Sequence, residues 1–456
     1  MCKFLPARSC LVARLMPILV TIAMSALAQT PQSTVTIPRR LTLAEAESLL
    51  LQRNLAIAVN RQQLEVAEAT KLIASYKPNP TIQLGAEQYP IHSPLAGSYP
   101  RFFTTDSDAG AQPTYTFLFT KLIERGGKRE LRTKQAEAQV AAARAQILEA
   151  FRQQRFQLRQ AFGGAVLARQ NLALAEQALT EYEQTETLTD TRVKNGEAAQ
   201  LELYRIRSGK LPYQQAVVHA NVAYAQACFD VLNLLNSRRN EVTLEPSPAS
   251  TPSGAPLEIE GAFSGTPLLL GLDELQRIAA EERPDIEIAR RVLQAGQFGT
   301  KLADAERKRD LTLGMEYQRV GSDSSLGMVA SFPLFLYNNQ KAAITAARAA
   351  ERSSALQLRQ AELQAATDVE KAWQLYQSAQ RSLKVFSEEN LKQVESLRSV
   401  AFFSYRQGAT SLFELLDAQR TLNQARVDWN QARFDYQNSI WLLEAAVGRD
   451  LEGAKP

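Results

Sequence analysis

The chain has 456 residues, 52 Lys and Arg against 48 Asp and Glu, and a formal net charge of +4. So even a balance excludes a nucleic-acid binder that relies on a basic field. A richness in Ala, Gln, Leu, Arg and Glu points to long helices, and the length to two or three domains, or to one duplicated fold.

Residues 1–28 read as an export signal. Lys3, Arg8 and Arg14 precede an apolar run from Leu15 to Ala23, too short to span a bilayer, and Ala26-Leu27-Ala28 offers a cleavage site before Gln29. Cys2 and Cys10 leave with it, so Cys228 alone remains and no intrachain disulfide is expected. No cysteine follows the cleavage site to carry a lipid anchor. An extended segment, 29–41, comes next.

A first repeat is expected over 42–237. Leu43 to Tyr76 reads as a helix, with Thr42 and Glu45 as a capping box and Lys77-Pro78-Asn79-Pro80 as its stop. The period then falls to two. Ile82 and Leu84 face one way in the first strand; Tyr115, Phe117 and Phe119 face one way in the second, 114–120, with a polar loop from Ile91 to Pro113 between them. Gly126-Gly127-Lys128 opens a helix of some sixty residues, about 130–192, whose seam runs through Phe151, Leu158, Ala165, Leu172 and Tyr182, with Gln154 as its polar exception. A loop at Val193 to Glu197 leads to a further helix, about 200–236.

Residues 238–268 form a Pro/Ser-rich linker. The second repeat, 269–448, restates the plan with cleaner strands. Leu311, Leu313, Met315 and Tyr317 alternate with polar residues and Gly314, and Leu326, Met328, Ala330 and Phe332 alternate with Gly327, Val329 and Ser331. A long helix, about 339–403, precedes the loop Tyr405-Arg406-Gln407-Gly408 and a helix from Ser411 with Leu415, Ala418, Leu422, Ala432 and Tyr436 on its seam. Subtracting about 212 superimposes Gly408 on Gly196, Leu415 on Leu203 and Tyr436 on Tyr224, the mark of a tandem duplication. Residues 449–456 are a tail.

The lengths then fix a shape. Two short helices placed end to end match one long neighbour, so the four strands gather at one end, the two loops at the other and the linker at the waist. Four strands with one apolar face cannot close a barrel in lipid by themselves, and three copies supply twelve. A soluble hairpin packed on helices gives the same pattern, and a solid coiled-coil rod gives the same seams.

The motifs Tyr405-Arg406-Gln407-Gly408 and Phe413-Glu414-Leu415-Leu416-Asp417-Ala418-Gln419-Arg420 on this duplicated plan resemble outer-membrane efflux proteins of the TolC family. Pro78-Asn79-Pro80 and Ile123-Glu124-Arg125-Gly126-Gly127-Lys128-Arg129 are similar to its heavy-metal branch, the CzcC-like proteins, although Gln29 stands where lipid-anchored members have cysteine. The resemblance implies a mainly α fold with a small β part. It implies a homotrimeric duct with a twelve-stranded barrel in outer-membrane lipid and an α-helical barrel across the periplasm. It also implies a periplasmic adaptor and an RND-type inner-membrane pump as partners, no nucleic acid, no cofactor and no catalytic residue. The membrane-facing residues are then Ile82, Leu84, Tyr115, Phe117, Phe119, Leu311, Leu313, Met315, Leu326, Met328 and Phe332.

Glu414 and Asp417, one helical turn apart, stand with Tyr405 as the periplasmic gate; three copies place six carboxylates about the axis, a cation-favouring ring. The plainer role for acids at a helix start is to favour its dipole. Their first-copy counterparts are Glu202 and Arg205, and that asymmetry favours the gate. Arg192, Lys194, Gly196, Arg406 and Gly408 are the adaptor-docking tips. His92 and His219 have no Cys or His at ligand spacing, so no metal site is expected, and Gly126-Gly127-Lys128 lacks the rest of a phosphate loop. Heavy-metal cations are the expected cargo. A drug or polypeptide outlet on the same fold, and an exported soluble scaffold, are the alternatives.

Overall fold

The computed structural model describes residues 37–87, 114–238, 242, 255–263, 267–337 and 339–451. The signal, most of the extended start, the Ile91–Pro113 loop with His92, much of the linker and the end of the tail lie outside these residues.

The first repeat runs β1 (Arg40–Leu41), α1 (Leu43–Arg53), α2 (Leu55–Ser75), β2 (Thr81–Glu87), β3 (Thr114–Ile123), α3 (Lys128–Lys194), α4 (Gln200–Gly209) and α5 (Leu211–Leu234). A short strand, β4 (Glu258–Ile259), precedes the second repeat. That repeat comprises α6 (Leu272–Glu282), α7 (Pro284–Ala305), β5 (Leu311–Val320), β6 (Asp323–Ser331), α8 (Lys341–Val385), α9 (Glu388–Arg406) and α10 (Leu412–Val447). With 67 residues, α3 is about 100 Å long.

Several helices expected to be continuous are broken, each for a local reason. The 43–76 helix ends at Arg53 and restarts at Leu55, because Asn54 leaves helical geometry and its Oδ1 accepts from Ile57 N at 3.1 Å. Its counterpart breaks at Arg283, with Pro284 opening α7. Pro212 at the second position of α5 separates it from α4. The long second helix breaks after Val385, where Ser387 caps α9 through Asn390 N. The Thr42/Glu45 capping box is present as read.

All four main strands join one antiparallel sheet of order β2-β3-β5-β6, and the two repeats meet at β3–β5. The register sets Leu84 beside Phe117, Tyr317 and Leu326, and Ile82 beside Phe119, Met315 and Met328. These two rows form a continuous apolar surface on one face. Leu84 is 79% exposed and Met328 89%, and Ile82, Tyr115, Phe117, Phe119, Leu313, Met315 and Leu326 are exposed with them; Leu311 is half-buried, and Phe332 lies one residue past β6. Among the described residues most of this face is uncovered and the outer edges of β2 and β6 have no strand partner, which leaves two demands, apolar cover and edge pairing.

Three apolar clusters hold the helices. One, around Ile57, Leu158, Ala165, Tyr224, Cys228 and Val231, lies at the waist of the first repeat, where β4 pairs in parallel with β1 and Tyr224 Oη donates to Leu257 O. The second, around Leu275, Val369, Tyr376, Tyr436 and Leu443, is its second-repeat equivalent. The third, with Tyr182, Leu203, Ile206, Tyr405, Leu412 and Leu415, joins both repeats at the loop end. Gly163 lets α10 approach α3, since a Cβ there would lie 2.7 Å from the Trp441 ring.

Candidate functional site: the loop end and the waist

At the loop end the two turns have the same backbone. Gly196 (φ 78°) and Gly408 (φ 73°) are left-handed, a conformation that glycine alone adopts without strain. In each turn the next N–H reaches back to the helix: Glu197 N to Arg192 O at 2.8 Å, and Ala409 N to Ser404 O at 2.9 Å. These are matched Schellman ends.

The side chains are not matched. Arg192 and Tyr405 reach across from opposite repeats and engage each other. The guanidinium stands 4.7 Å from the Tyr405 ring centroid, and its Nη1 donates to Tyr405 O at 2.7 Å. Tyr405 is 1% exposed; its hydroxyl lies 3.0 Å from Thr189 Oγ1 and donates to Glu202 Oε2 at 3.3 Å. Burial, and less strongly the Glu202 charge, push this phenol above its ordinary pKa, so it remains a donor at neutral pH.

Glu414 and Asp417 are both exposed on the first turns of α10. Glu414 completes a capping box: its carboxylate accepts from Ser411 N at 3.3 Å while Ser411 Oγ accepts from Glu414 N. Ala199 stands at the same place before α4 and offers no side-chain cap, so Glu202, the N3 residue there, is left to meet Tyr405. The difference between copies at Glu414 thus follows from Ser411 against Ala199 as well as from any task at an aperture. Asp417 has no hydrogen-bond or ion-pair partner among the described residues.

Among the tip residues, Lys194 is exposed and pairs with Asp190 at 2.6 Å, and Arg406 lies over Phe403. Arg192 is 13% exposed and faces inward. Behind the tip, Glu181 of α3 meets Arg398 of α9 at 3.4 Å and Arg426 of α10 at 3.5 Å, tying three helices. Sequence reading missed Thr189, Glu202 and this cluster. Thr185 and Thr189, two hydroxyls one turn apart on an otherwise apolar seam, were the available signal for the first.

At the waist the exception in the α3 seam finds its reason. Gln154 Oε1 accepts from Asn54 Nδ2 at 3.0 Å, and the same nitrogen donates to Leu234 O, the C-terminal end of α5, at 3.1 Å. Arg283 does this work in the second repeat. It is 3% exposed, pairs with Asp285 and Asp368, and donates to Ala446 O near the end of α10 at 3.0 Å. Beside it, Arg155 and Arg159 project from α3 toward Glu47, Glu444 and Asp450, and Arg152 pairs with Glu149 and donates to Ala445 O, around a cleft of about 200 Å³. Its charges answer one another, which makes it a joint between repeats.

Near the sheet, Gly126 (φ 81°) and Gly127 (φ 71°) turn β3 into α3, and Lys128 Nζ pairs with Asp310 at 2.9 Å. The 123–129 motif therefore has a structural task that does not depend on any cargo. Among the described residues no group of three or more His, Cys, Asp and Glu side chains is placed to hold a metal, and no helix is long and apolar enough to cross a membrane.

Residues 275–449 match the family model for outer membrane efflux proteins. The pyoverdine export outer membrane protein OpmQ of Pseudomonas putida is 28% identical over 297 residues, covering 61% of this chain; the match spans 58% of that relative's length. Among solved structures, the outer-membrane channel OprN aligns at a TM-score of 0.71 with 19% identity, over 89% of each chain. CusC aligns at 0.71 with 18% identity, over 89% of this chain and 92% of its own. The open-state MtrE channel of Neisseria gonorrhoeae aligns at 0.71 with 17% identity, over 91% and 90%. These likenesses give the fold. Over residues 275–449 the chain is similar to the outer membrane efflux proteins, and the fold of those channels runs through the rest of it.

Proposed function

We propose that the chain is one third of a homotrimeric exit duct, which passively conducts solutes handed over by an inner-membrane RND-type pump and a periplasmic adaptor. The observation that carries this is the four-stranded sheet, apolar on one face and, among the described residues, unpaired at both edges, continued by a helix about 100 Å long. Three such sheets, paired β6 to β2, close a twelve-stranded barrel and leave no free edge. The protein is expected to fractionate with outer membranes, to migrate as a detergent-resistant trimer and to form a conducting pore in planar bilayers. Recovery as a soluble periplasmic monomer overturns the reading.

In this duct Tyr405, held between Arg192, Thr189 and Glu202, is the latch that keeps the loop end of each protomer together, and Asp417 with Glu414 supplies its acidic ring. Lys194, Gly196, Arg406 and Gly408 form the tips that meet the adaptor, while Arg192 shapes the tip from behind. Replacing Asp417 by Ala is expected to lower cation selectivity in bilayers more than replacing Glu414, whose carboxylate already serves its helix.

For the cargo, the 78–80 and 123–129 motifs support heavy-metal cations, and the match to a pyoverdine exporter supports a siderophore. Deletion of the gene separates them: metal hypersensitivity upholds the first, and retention of a siderophore in the periplasm upholds the second.

A further inference from the structure

The outward face of the sheet can be followed row by row. Its top row is Ala86/Tyr115/Arg319/Ser324, apolar on β2 and β3 and polar at the β5–β6 hairpin. Below lie the rows Leu84/Phe117/Tyr317/Leu326, Ile82/Phe119/Met315/Met328, Lys121/Leu313/Ala330 and finally Ile123/Leu311, with Phe332 just past the end of β6. Four steps of about 7 Å along strands tilted by about 40° span only about 20 Å of height, against an apolar band of about 25 Å in outer-membrane barrels. The last row is also interrupted from above by a lysine.

Additional apolar surface lies at the helix end of β6. Phe332 is 52% exposed, Leu334 62%, Leu336 75% and Tyr337 101%, and Phe332 continues the outward row of Leu326, Met328 and Ala330. Beside this segment stand cations. Lys121 and Arg125 are exposed and have no ion-pair partner among the described residues, and the Arg309 guanidinium lies 5.7 Å from the Phe335 ring centroid. The nearby acids are already engaged, Glu124 with Arg132 at 2.6 Å and Asp310 with Lys128.

We propose that Phe332–Tyr337 dips into the inner leaflet of the outer membrane and that Lys121, Arg125 and Arg309 bind the phosphates of its phospholipid headgroups. This rests on the membrane reading of the sheet. Long basic side chains at the edge of an apolar band place their stems in hydrocarbon and their charges at the headgroups. Tyr337 supplies the aromatic anchor usual at that level. The occupant is lipid rather than a neighbouring copy because Phe332 follows the outward row, whereas ring closure engages the backbone edge of β6.

The test uses the full chain in vesicles of phosphatidylcholine and phosphatidylglycerol carrying brominated acyl chains. Tryptophan is introduced singly by Leu313→Trp, Leu334→Trp or Tyr337→Trp, and emission is read as the difference from the unsubstituted protein. Quenching at 334 and 337 within about twofold of that at 313 is expected from a shared hydrocarbon environment. Quenching at 313 alone overturns the proposal and leaves the membrane sheet standing, as happens if a second copy covers the segment. Absence of quenching at all three overturns both. In a second arm, Lys121→Gln, Arg125→Gln and Arg309→Gln are combined, and enrichment of phosphatidylglycerol around the protein is measured. It is expected to fall about fivefold for each cation removed; unchanged enrichment overturns the headgroup assignment.

Discussion

The two waists perform the same mechanical task with different chemistry. In the first repeat a neutral amide, Asn54, reaches the long helix through Gln154 and the end of α5 through Leu234 O. In the second a buried guanidinium, Arg283, reaches the long helix through Asp368 and the end of α10 through Ala446 O. Duplication preserved the backbone need, which is a donor at the helix break aimed at an unsatisfied C-terminal carbonyl, and left open which side chain supplies it. The two solutions differ in what removal leaves behind. Without Asn54 an amide and a carbonyl lose a partner, whereas without Arg283 two carboxylates lose their counter-charge.

The largest expected effect follows from that difference. Arg283→Met is expected to cost about 3–5 kcal/mol, since it strands Asp285 and Asp368 in a partly buried site. Thermal unfolding of the detergent-solubilised protein measures it. Asn54→Ala is expected to cost about 2 kcal/mol, through the lost cap at Ile57 N and the unpaired Leu234 O. Equal losses at the two waists would break the comparison.

Acid sharpens it further. Burial pushes the Asp285 carboxyl upward, but the Arg283 hydrogen bond and charge, with Arg152 and Ile286 N, outweigh this and hold it below the ordinary aspartate value. A depressed carboxylate contributes stability above its unfolded pKa, about 3.9, and loses that contribution as pH falls through the lower folded value. The second waist therefore weakens below about pH 4, and the Asn54–Gln154 joint, which has no titrating group, does not. Melting profiles from pH 6 to 3 are expected to show a shallower acid fall in Asp285→Asn than in the unsubstituted chain.

The smallest effects lie at the loop end. Ser411→Ala is expected to cost about 1 kcal/mol by removing the α10 cap, and Ala199→Ser to add about 0.5 kcal/mol by giving α4 the cap it lacks. A loss with no matching gain would show that α4 is held by Tyr405 and Glu202 rather than by its own end.

Much of this architecture was legible in the sequence because it depends on period and length. The strand faces, the Thr42/Glu45 box and the left-handed glycines of the tips are all local matters. Asn54 and Arg283 were not legible as breaks, since nothing within a few residues forbids helix at Asn54. What ends the helix there is a carbonyl 180 residues away. For the second break Pro284 was the available signal, since proline favours the first position of a helix. At the candidate gate, the acids and Tyr405 were visible, and the partners of Tyr405 were not. Tyr405 acquires its role from Thr189, Glu202 and Arg192, contacts separated by 203 to 216 residues that no spacing rule reports.

The two unpaired edges of the sheet have a genetic consequence. In the proposed ring of three each copy both gives and receives one strand pairing, so a copy with a proline on the free side of β6 interrupts any ring that admits it. Expressed in equal amount with the intact chain, it leaves about one ring in eight wholly intact. Lesions in β2 and β6 should therefore be dominant in mixed populations, while lesions at the waists should be recessive.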